Sequence, residues 1–186
     1  METLRKKIEL YIPKCEQEEQ DKSLMLKYID INDDVLFRTN QAAHFTASSW
    51  IVNRDRTKVL MIYHNIYDSW SWTGGHADGE YDLLSVAMRE ASEETGITVV
   101  KPVYGDIFSI EVLTVDGHIK NGKYVSSHIH LNVTYLLEAD EEEALHIKPD
   151  ENKGVMWFDI NEAMKAVNEK WMKKWVYKKL IDRLNS

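Results

Sequence analysis

Apolar positions along the chain change their period several times, and each change marks an element. Between Asp82 and Thr95 they recur at helical spacing: at about 100° per residue, Leu84, Ala87, Met88, Ala91 and the stem of Thr95 fall on one stripe, which predicts a helix with that face on the core. Residues 1 to about 36 read as two shorter helices. Leu4, Ile8, Tyr11 and Ile12 keep helical spacing, Pro13 interrupts it, and Leu24, Met25, Tyr28 and Ile29 resume it after the charged run Glu16 to Lys22. Strand patterns govern the middle of the chain. His44 to Asn53 and Lys58 to His64 read as two strands joined by the polar turn Arg54 to Thr57, a hairpin that feeds a glycine pair at Gly74 and Gly75. Asp106 to Val115 and His128 to Leu137 form a second, longer hairpin across a turn-rich loop from Asp116 to Lys123. In its return strand Ile129, Leu131, Val133, Tyr135 and Leu137 face one way, while His128, His130, Asn132 and Thr134 face the other, toward a cleft or solvent. Gly154 to Phe158 is a further short strand. Asp159 and Glu162, at capping-box spacing, open a last helix. Met164, Val167, Trp171 and Trp175, broadened by Met172, Val176 and Leu180, give that helix a wide apolar face expected to be well buried. The periods alone describe an α+β domain.

The helix from Asp82 carries a second pattern. Glu90, Glu93 and Glu94 crowd one turn, because residues three and four apart are neighbours on a helix surface. Like charges at that spacing cost a few tenths of a kcal/mol per pair, and the C-terminal half of a helix already disfavours anions. A compensating positive charge is implied. Arg89 is one candidate, and a divalent cation, which takes hard oxygen ligands, is the other. For a lone pair of glutamates a solvated acidic face would be the simpler reading; here the surroundings argue against it. Gly74 and Gly75 allow a tight turn and a close backbone approach to a ligand, the loop after them delivers amides to a helix N-terminus suited to phosphate, and Gly96 stands where a left-handed residue closes the helix.

The stretch GGHADGEYDLLSVAMREASEETGI, from Gly74 to Ile97, resembles the Nudix hydrolase box, GX5EX7REUXEEXGU with U aliphatic. Gly75, Arg89, Glu90, Ala91, Glu93, Glu94, Gly96 and Ile97 stand at the required spacing. The resemblance implies a Nudix-type α/β/α sandwich with a mixed β-sheet over residues 43–186, preceded by an N-terminal helical extension over residues 1–42. It also implies a hydrolase of acid anhydrides in phosphorus-containing compounds, a pyrophosphohydrolase that cleaves a nucleoside diphosphate linked to a group X, or a related small organic diphosphate, by water attack on phosphorus with Mg²⁺ or Mn²⁺. Carried over residue by residue, Glu90, Glu93, Glu94 and the Gly75 carbonyl hold metal, and Arg89 orients the glutamates or the phosphate. Gly74, Gly75, His76, Trp72 and His130 become the candidate substrate contacts, although packing is the better reading of the Trp70 and Trp72 pair. The histidines of the strand face, His128 and His130, have no third ligand in their neighbourhood and read as ordinary exposed strand positions ahead of a site.

One position departs from the pattern. Tyr81 stands where the family has its first glutamate, which supports the box arginine; Glu80, Asp78 and Glu93 are the candidates to take over. The family often adds a carboxylate from outside the box, and Glu151, then Glu111, are the candidates; the general base is Glu93 or Glu151. Two other functions fit the resemblance: a catalytically weak Nudix domain that binds a nucleotide or sugar nucleotide, favoured only by Tyr81, and an isoprenyl diphosphate isomerase, disfavoured because the single cysteine, Cys15, lies in the N-terminal extension.

Composition narrows the setting. With 186 residues and 44% hydrophobic content the chain suffices for one ordinary domain with an extension. A formal charge of −8 argues against binding long nucleic acid but leaves a small phosphorylated substrate open, since a bound metal reverses the local field. No apolar run approaches the roughly 20 residues that span a bilayer, and one cysteine with no apolar leader suggests a reducing, cytoplasmic setting without a membrane. A homodimer through the N- or C-terminal helix would cover the broad apolar faces.

Overall fold

Leu4 and Ile8, one turn apart, are the buried apolar positions of the first helix, and Met25 and Ile29 those of the second, so the apolar spacing of the N-terminal segment is realised as α1 (Glu2–Leu10) and α2 (Glu16–Ile31). In a computed structural model, which describes residues 2–120 and 122–185, these are followed by β1 (Ala43–Val52), β2 (Lys58–His64), β3 (Ser69–Ser71), β4 (Thr73–His76), α3 (Leu83–Thr95), β5 (Val100–Pro102), β6 (Ser109–Val115), β7 (His118–Lys120), β8 (Lys123–Val125), β9 (His128–Ala139) and β10 (Asn152–Asp159). Short helices α4 (Ala163–Ala166) and α5 (Lys170–Met172), a π-helical turn (Lys173–Tyr177) and α6 (Lys178–Leu184) end the chain. The main sheet runs β10-β2-β1-β9-β5, with β3 beside β2, β4 beside β1 and β6 beside β9. All ten residues of β1 are buried, as expected of a strand covered on both faces. By backbone contacts the chain divides into two compact units that interleave in sequence.

The first unit holds Met1–Ala47, Gly75–Val86 and Asp106–Thr134. Pro13 separates α1 from α2, and Lys22 donates to the carbonyls of Glu9 (2.7 Å) and Tyr11 (2.8 Å), which closes the end of α1 with a cation. The charged run of α2 is structural. Glu18, fully buried, accepts from the Lys14 amide at 2.9 Å and from Ser109 Oγ at 3.1 Å, and Asp21 accepts from the Val112 amide at 3.0 Å, so the acidic side of α2 is hydrogen-bonded onto β6. β6 and β9 pair antiparallel from Ser109 opposite Thr134 to Val115 opposite His128. Bonds from Ile129 N to Ala42 O (2.9 Å) and from Thr46 Oγ1 to Asn132 Oδ1 (2.9 Å) advance in the same direction on both strands. β1 and β9 therefore run parallel here, and the sheet is mixed. The loop between the strands of the long hairpin folds into the small antiparallel pair β7 and β8, which the turn residues did not announce.

The second unit holds Ser48–Gly74, Ala87–Gly105 and Tyr135–Ser186. β2 pairs antiparallel with β1, with β10 and with β3, and the turn ahead of β2 is closed by Asn53 Oδ1, which accepts from the amides of Thr57 (2.9 Å) and Lys58 (3.0 Å). The core of this unit stacks Trp50 on Tyr177 (ring centroids 5.6 Å apart), with Trp72 edge-on to the same ring.

The C-terminal segment differs from expectation. No single helix starts at Asp159, which is the last residue of β10, and α4 ends at Ala166. Asn168 is instead held out of helix by its amide donating to Ser69 Oγ (2.9 Å) and its side chain to Asp68 O (2.8 Å). The expected face is also rotated: Val167, Val176, Tyr177 and Leu180 are buried, whereas Trp171 and Trp175 are 48% and 43% exposed. The break after α4 resets the phase of the helix that restarts at Lys170, which carries Trp171, and the wider π-helical turn shifts the side chains within and after it around the axis relative to a regular helix.

Candidate active site

Helix α3 starts where the spacing indicated. Asp82 precedes it, its Oδ2 accepting from Ser85 Oγ at 2.7 Å, and Gly96 closes it with φ +78°. Its buried positions are Leu83, Val86, Ala87, Ala91, Glu94 and Thr95, a stripe turned about one position from the one read off the sequence, since Leu84 and Met88 are only half-buried. Ser49 Oγ donates to the Ala87 carbonyl at 2.9 Å and fixes the helix in that orientation.

That rotation gives the three carboxylates different environments. Glu94 is turned inward, 3% exposed; its Oε2 accepts from the Gly74 amide at 2.8 Å, and Asn152 Nδ2 donates to its backbone carbonyl at 2.8 Å. Burial pushes its carboxyl well above the ordinary glutamate range, against the Gly74 amide, and the charges of Glu151 and Glu90 add to the rise. Glu90 is raised in the same way by burial, opposed by Arg89. Glu93 stays half-exposed.

Two cations answer the crowding. Arg89 reaches Glu90 (Nη2 to Oε1, 3.1 Å) and Glu93 (Nε to Oε1, 3.8 Å), and Lys148 lies 3.0 Å from Glu93 and 3.1 Å from Glu151. Burial pulls the Lys148 ammonium down, but its hydrogen bonds with Glu93 and Glu151 outweigh that and hold it above its ordinary value. The charge that the glutamates need is thus partly supplied by a lysine the spacing did not single out: it is more than 50 residues from the helix in sequence, and only folding brings it there. Arg89 takes its support from Glu90 and Glu93. Asp78 instead forms a bidentate pair with Arg38 (2.7 and 2.6 Å) and Glu80 accepts from the Asp82 amide at 2.9 Å, while Tyr81 is exposed.

The remaining candidates divide. Gly74 presents its amide to Glu94, and Gly75 follows it in β4. Glu151 joins the set through Lys148. Trp72 belongs to the core: it is 7% exposed, and both its ring and its amide meet Tyr177. Glu111 is fully buried, accepting from Asn132 Nδ2 (3.0 Å), Thr134 Oγ1 (2.8 Å) and Ser109 Oγ. The face of β9 expected to be open is therefore closed at Asn132 and Thr134, which are spent on that internal network. His76 and His130 lie together with His44 and His128.

A glycine loop offers an amide to the innermost of three glutamates on one helical turn, and an arginine reaches the other two. Residues 43–180 match the NUDIX domain family model, and the chain belongs to the Nudix hydrolase family. A protein of Lactococcus lactis subsp. cremoris (strain MG1363) named "Probable DHNTP pyrophosphohydrolase" is 28% identical over 113 residues; the match spans 61% of this chain and 64% of the relative's length. Among solved structures, the Escherichia coli dihydroneopterin triphosphate pyrophosphohydrolase has the same fold, with TM-score 0.55 at 16% identity over 76% of this chain and 96% of that one. A Bacillus halodurans MutT protein matches with TM-score 0.51 at 22% identity over 74% of this chain and 81% of that one. Among the described residues no helix is long and apolar enough to cross a membrane.

Proposed function

We propose that this chain is a divalent-metal-dependent pyrophosphohydrolase of a small organic diphosphate or triphosphate, with nucleoside diphosphates linked to a group X as the reference class. The observation that carries the reading is Glu94, a buried carboxylate fixed by the Gly74 amide, with Glu90 and Glu151 close enough to raise its proton affinity. The donor set is all oxygen, and the burden of unneutralised carboxylates fits a hard cation of the Mg²⁺ or Mn²⁺ kind. Glu90, Glu93 and Glu94 would hold it, and when bound it would supply charge neutralisation on the phosphoryl oxygens and a water of lowered pKa.

The chain's own groups set the rest. Arg89 bridges Glu90 and Glu93 and keeps their carboxylates from diverging. Glu93 and Glu151, both reaching solvent and both hydrogen-bonded to Lys148, are the two acceptors for the proton of the attacking water. As the water oxygen bonds to phosphorus, the bridging P–O bond breaks and the anhydride separates into two phosphate products. The dihydroneopterin triphosphate named for the Lactococcus relative enters as one candidate substrate beside the nucleotides.

The test is a panel of nucleoside triphosphates, dinucleoside polyphosphates, sugar nucleotides, NADH-type dinucleotides and dihydroneopterin triphosphate, each with Mg²⁺ or Mn²⁺ and assayed for products, with Glu94→Gln as the control. Cleavage of one class that disappears in the variant supports the reading and names the substrate. No turnover on any of them, with nucleotide binding retained, overturns it in favour of a binding module.

A further inference from the structure

His44, His76, His128 and His130 come from three separate parts of the first unit, β1, β4 and β9, and converge on one point. Each offers a ring nitrogen, and the four nitrogens lie within 4.8 Å of one another. Two are already in contact, His128 Nε2 and His130 Nε2 at 3.1 Å. Tetrahedral Zn–N bonds of 2.0–2.1 Å require nitrogens roughly 3.3 Å apart, so the cluster is within about 1.5 Å of closure at its widest, a matter of small ring rotations.

Two of the four tautomers favour a cation at the centre, those of His44 and His128; His130 Nε2 donates to His128 Nε2 and gives up that proton on binding metal. His44 Nδ1 faces the Asn40 carbonyl at 2.9 Å and His128 Nδ1 faces the Ser126 carbonyl at 2.8 Å. A carbonyl only accepts, so both Nδ1 atoms carry the proton and both Nε2 atoms keep a lone pair. This is how proteins orient and tune metal-binding imidazoles. His44 is 3% exposed and its Nε2 has no hydrogen-bond partner, an orphaned acceptor that costs free energy unless something fills it. The rings are also largely withdrawn from water, His44 buried and His76, His128 and His130 half-buried.

Other groups nearby do not supply a better occupant. Arg38 and Lys120 add positive potential, but Arg38 is neutralised by Asp78. His118 lies beside His128, its Nδ1 tied to the Asp116 carbonyl at 2.9 Å. No carboxylate belongs to the set, which excludes a hard-cation site and separates it from the glutamates of α3.

We infer that the four histidines form a second metal site, for a borderline transition dication of the Zn²⁺ class, tying β1, β4 and β9 together beside the glycine loop. The site is independent of the glutamates, so it stands or falls separately from the proposed hydrolysis.

The chain, stripped with a chelator and freed of it, is titrated at pH 7 with Zn²⁺ by calorimetry and with Co²⁺ by visible absorption, in which four-coordinate nitrogen ligation absorbs far more strongly than six-coordinate oxygen ligation. One equivalent bound with a four-coordinate Co²⁺ spectrum is expected in the wild type and in Glu94→Gln. His128→Gln and His130→Asn should each weaken it by more than the ~10–100-fold that loss of an orienting partner costs. Nitrogen-15 spectra of the unsubstituted protein give the same answer without a variant: one equivalent of Zn²⁺ should shift the His44 and His128 Nε2 resonances. Absence of stoichiometric binding, binding that survives in both histidine variants, binding lost only in Glu94→Gln, or unmoved imidazole resonances would each overturn the inference.

Discussion

Glu94 shows how one residue's burial decides both chemistry and stability. Under the proposed function Glu94 holds metal; losing such a ligand forfeits several kcal/mol of transition-state stabilisation, and at about 1.4 kcal/mol per decade Glu94→Gln should lower kcat/KM by roughly 10²–10³-fold in steady-state assays on the cleaved substrate. The same change should raise the Tm of the metal-free protein at pH 8. The Glu94 carboxyl is raised by burial in the fold, so its ionised form is a cost in the metal-free state, and Gln still accepts from the Gly74 amide. A Tm below wild type would show that the carboxylate is stabilised by something other than that amide. Lys148 gives the complementary prediction. Lys148→Met removes partners of Glu93 and Glu151, which should destabilise the metal-free protein by about 1 kcal/mol, the upper end for partly exposed pairs, and enlarge the stabilisation gained on adding Mg²⁺; thermal melts with and without the ion measure both. Arg89, Glu90, Glu93 and Glu94 were legible because one helix turn sets their spacing. Lys148 and His44 were not, since neither belongs to a local pattern: each meets its partners only through pairing of segments far apart in the chain.

Elements were legible wherever one period held without interruption. α3, β2 and the parent strands of both hairpins stand where alternation and helical spacing put them, while the outward face of β9 and the last helix were misjudged for stated physical reasons. Polar residues on β9 read as open to a cleft or to solvent because alternation cannot report that Glu111, itself backed by Ser109 and Glu18, satisfies Asn132 and Thr134 from inside. Asn132→Ala removes the donor to Glu111 and the acceptor for Thr46 at once. It should cost about 1–3 kcal/mol for the buried groups left without a partner, read as a lower urea midpoint, with kcat per folded molecule unchanged. Termination of α3 offers a second test. A Cβ on Gly96 would stand 2.8 Å from His146 Cβ and 3.0 Å from its backbone nitrogen, at φ +78°, so Gly96→Ala combines left-handed strain with a clash that a short side-chain rotation cannot relieve. A loss of about 1–3 kcal/mol is expected by chemical denaturation, together with weaker Mg²⁺ binding, because the last turn of α3 carries Glu93 and Glu94.

For the molecule as a whole, two sets of buried and half-buried groups pull stability in opposite directions with pH. Glu94 and Glu90 have raised carboxyls: just above the ordinary glutamate range the folded state holds more protons than the unfolded one, so their contribution is lost as pH rises through the folded values. His76 and His130, taken by burial to about 3 and about 2, and His44, lowered by burial, behave conversely. Below an unfolded value near 6.5 the unfolded chain takes up protons that these rings refuse, so their stabilisation is full above about 6.5 and drains away as pH falls toward the folded values. Each histidine contributes a slope of up to about 1.4 kcal/mol per pH unit in that window. Surface carboxylates in ion pairs, such as Asp30 with Arg5 and Glu141 with Lys58, are lowered mainly by those hydrogen bonds; they act only at more acid pH and are screened by salt. Between pH 7 and pH 5 the histidines therefore decide the sign: metal-free protein should lose stability on acidification, with a urea midpoint that falls steadily. Glu94→Gln removes an opposing contribution and should steepen the fall, whereas His76→Gln with His130→Asn should flatten it, insensitively to added NaCl because the groups are buried. A midpoint that rises on acidification would give the glutamates the larger share, and a fall of equal slope in all three proteins would place the dominant titrating groups outside both clusters.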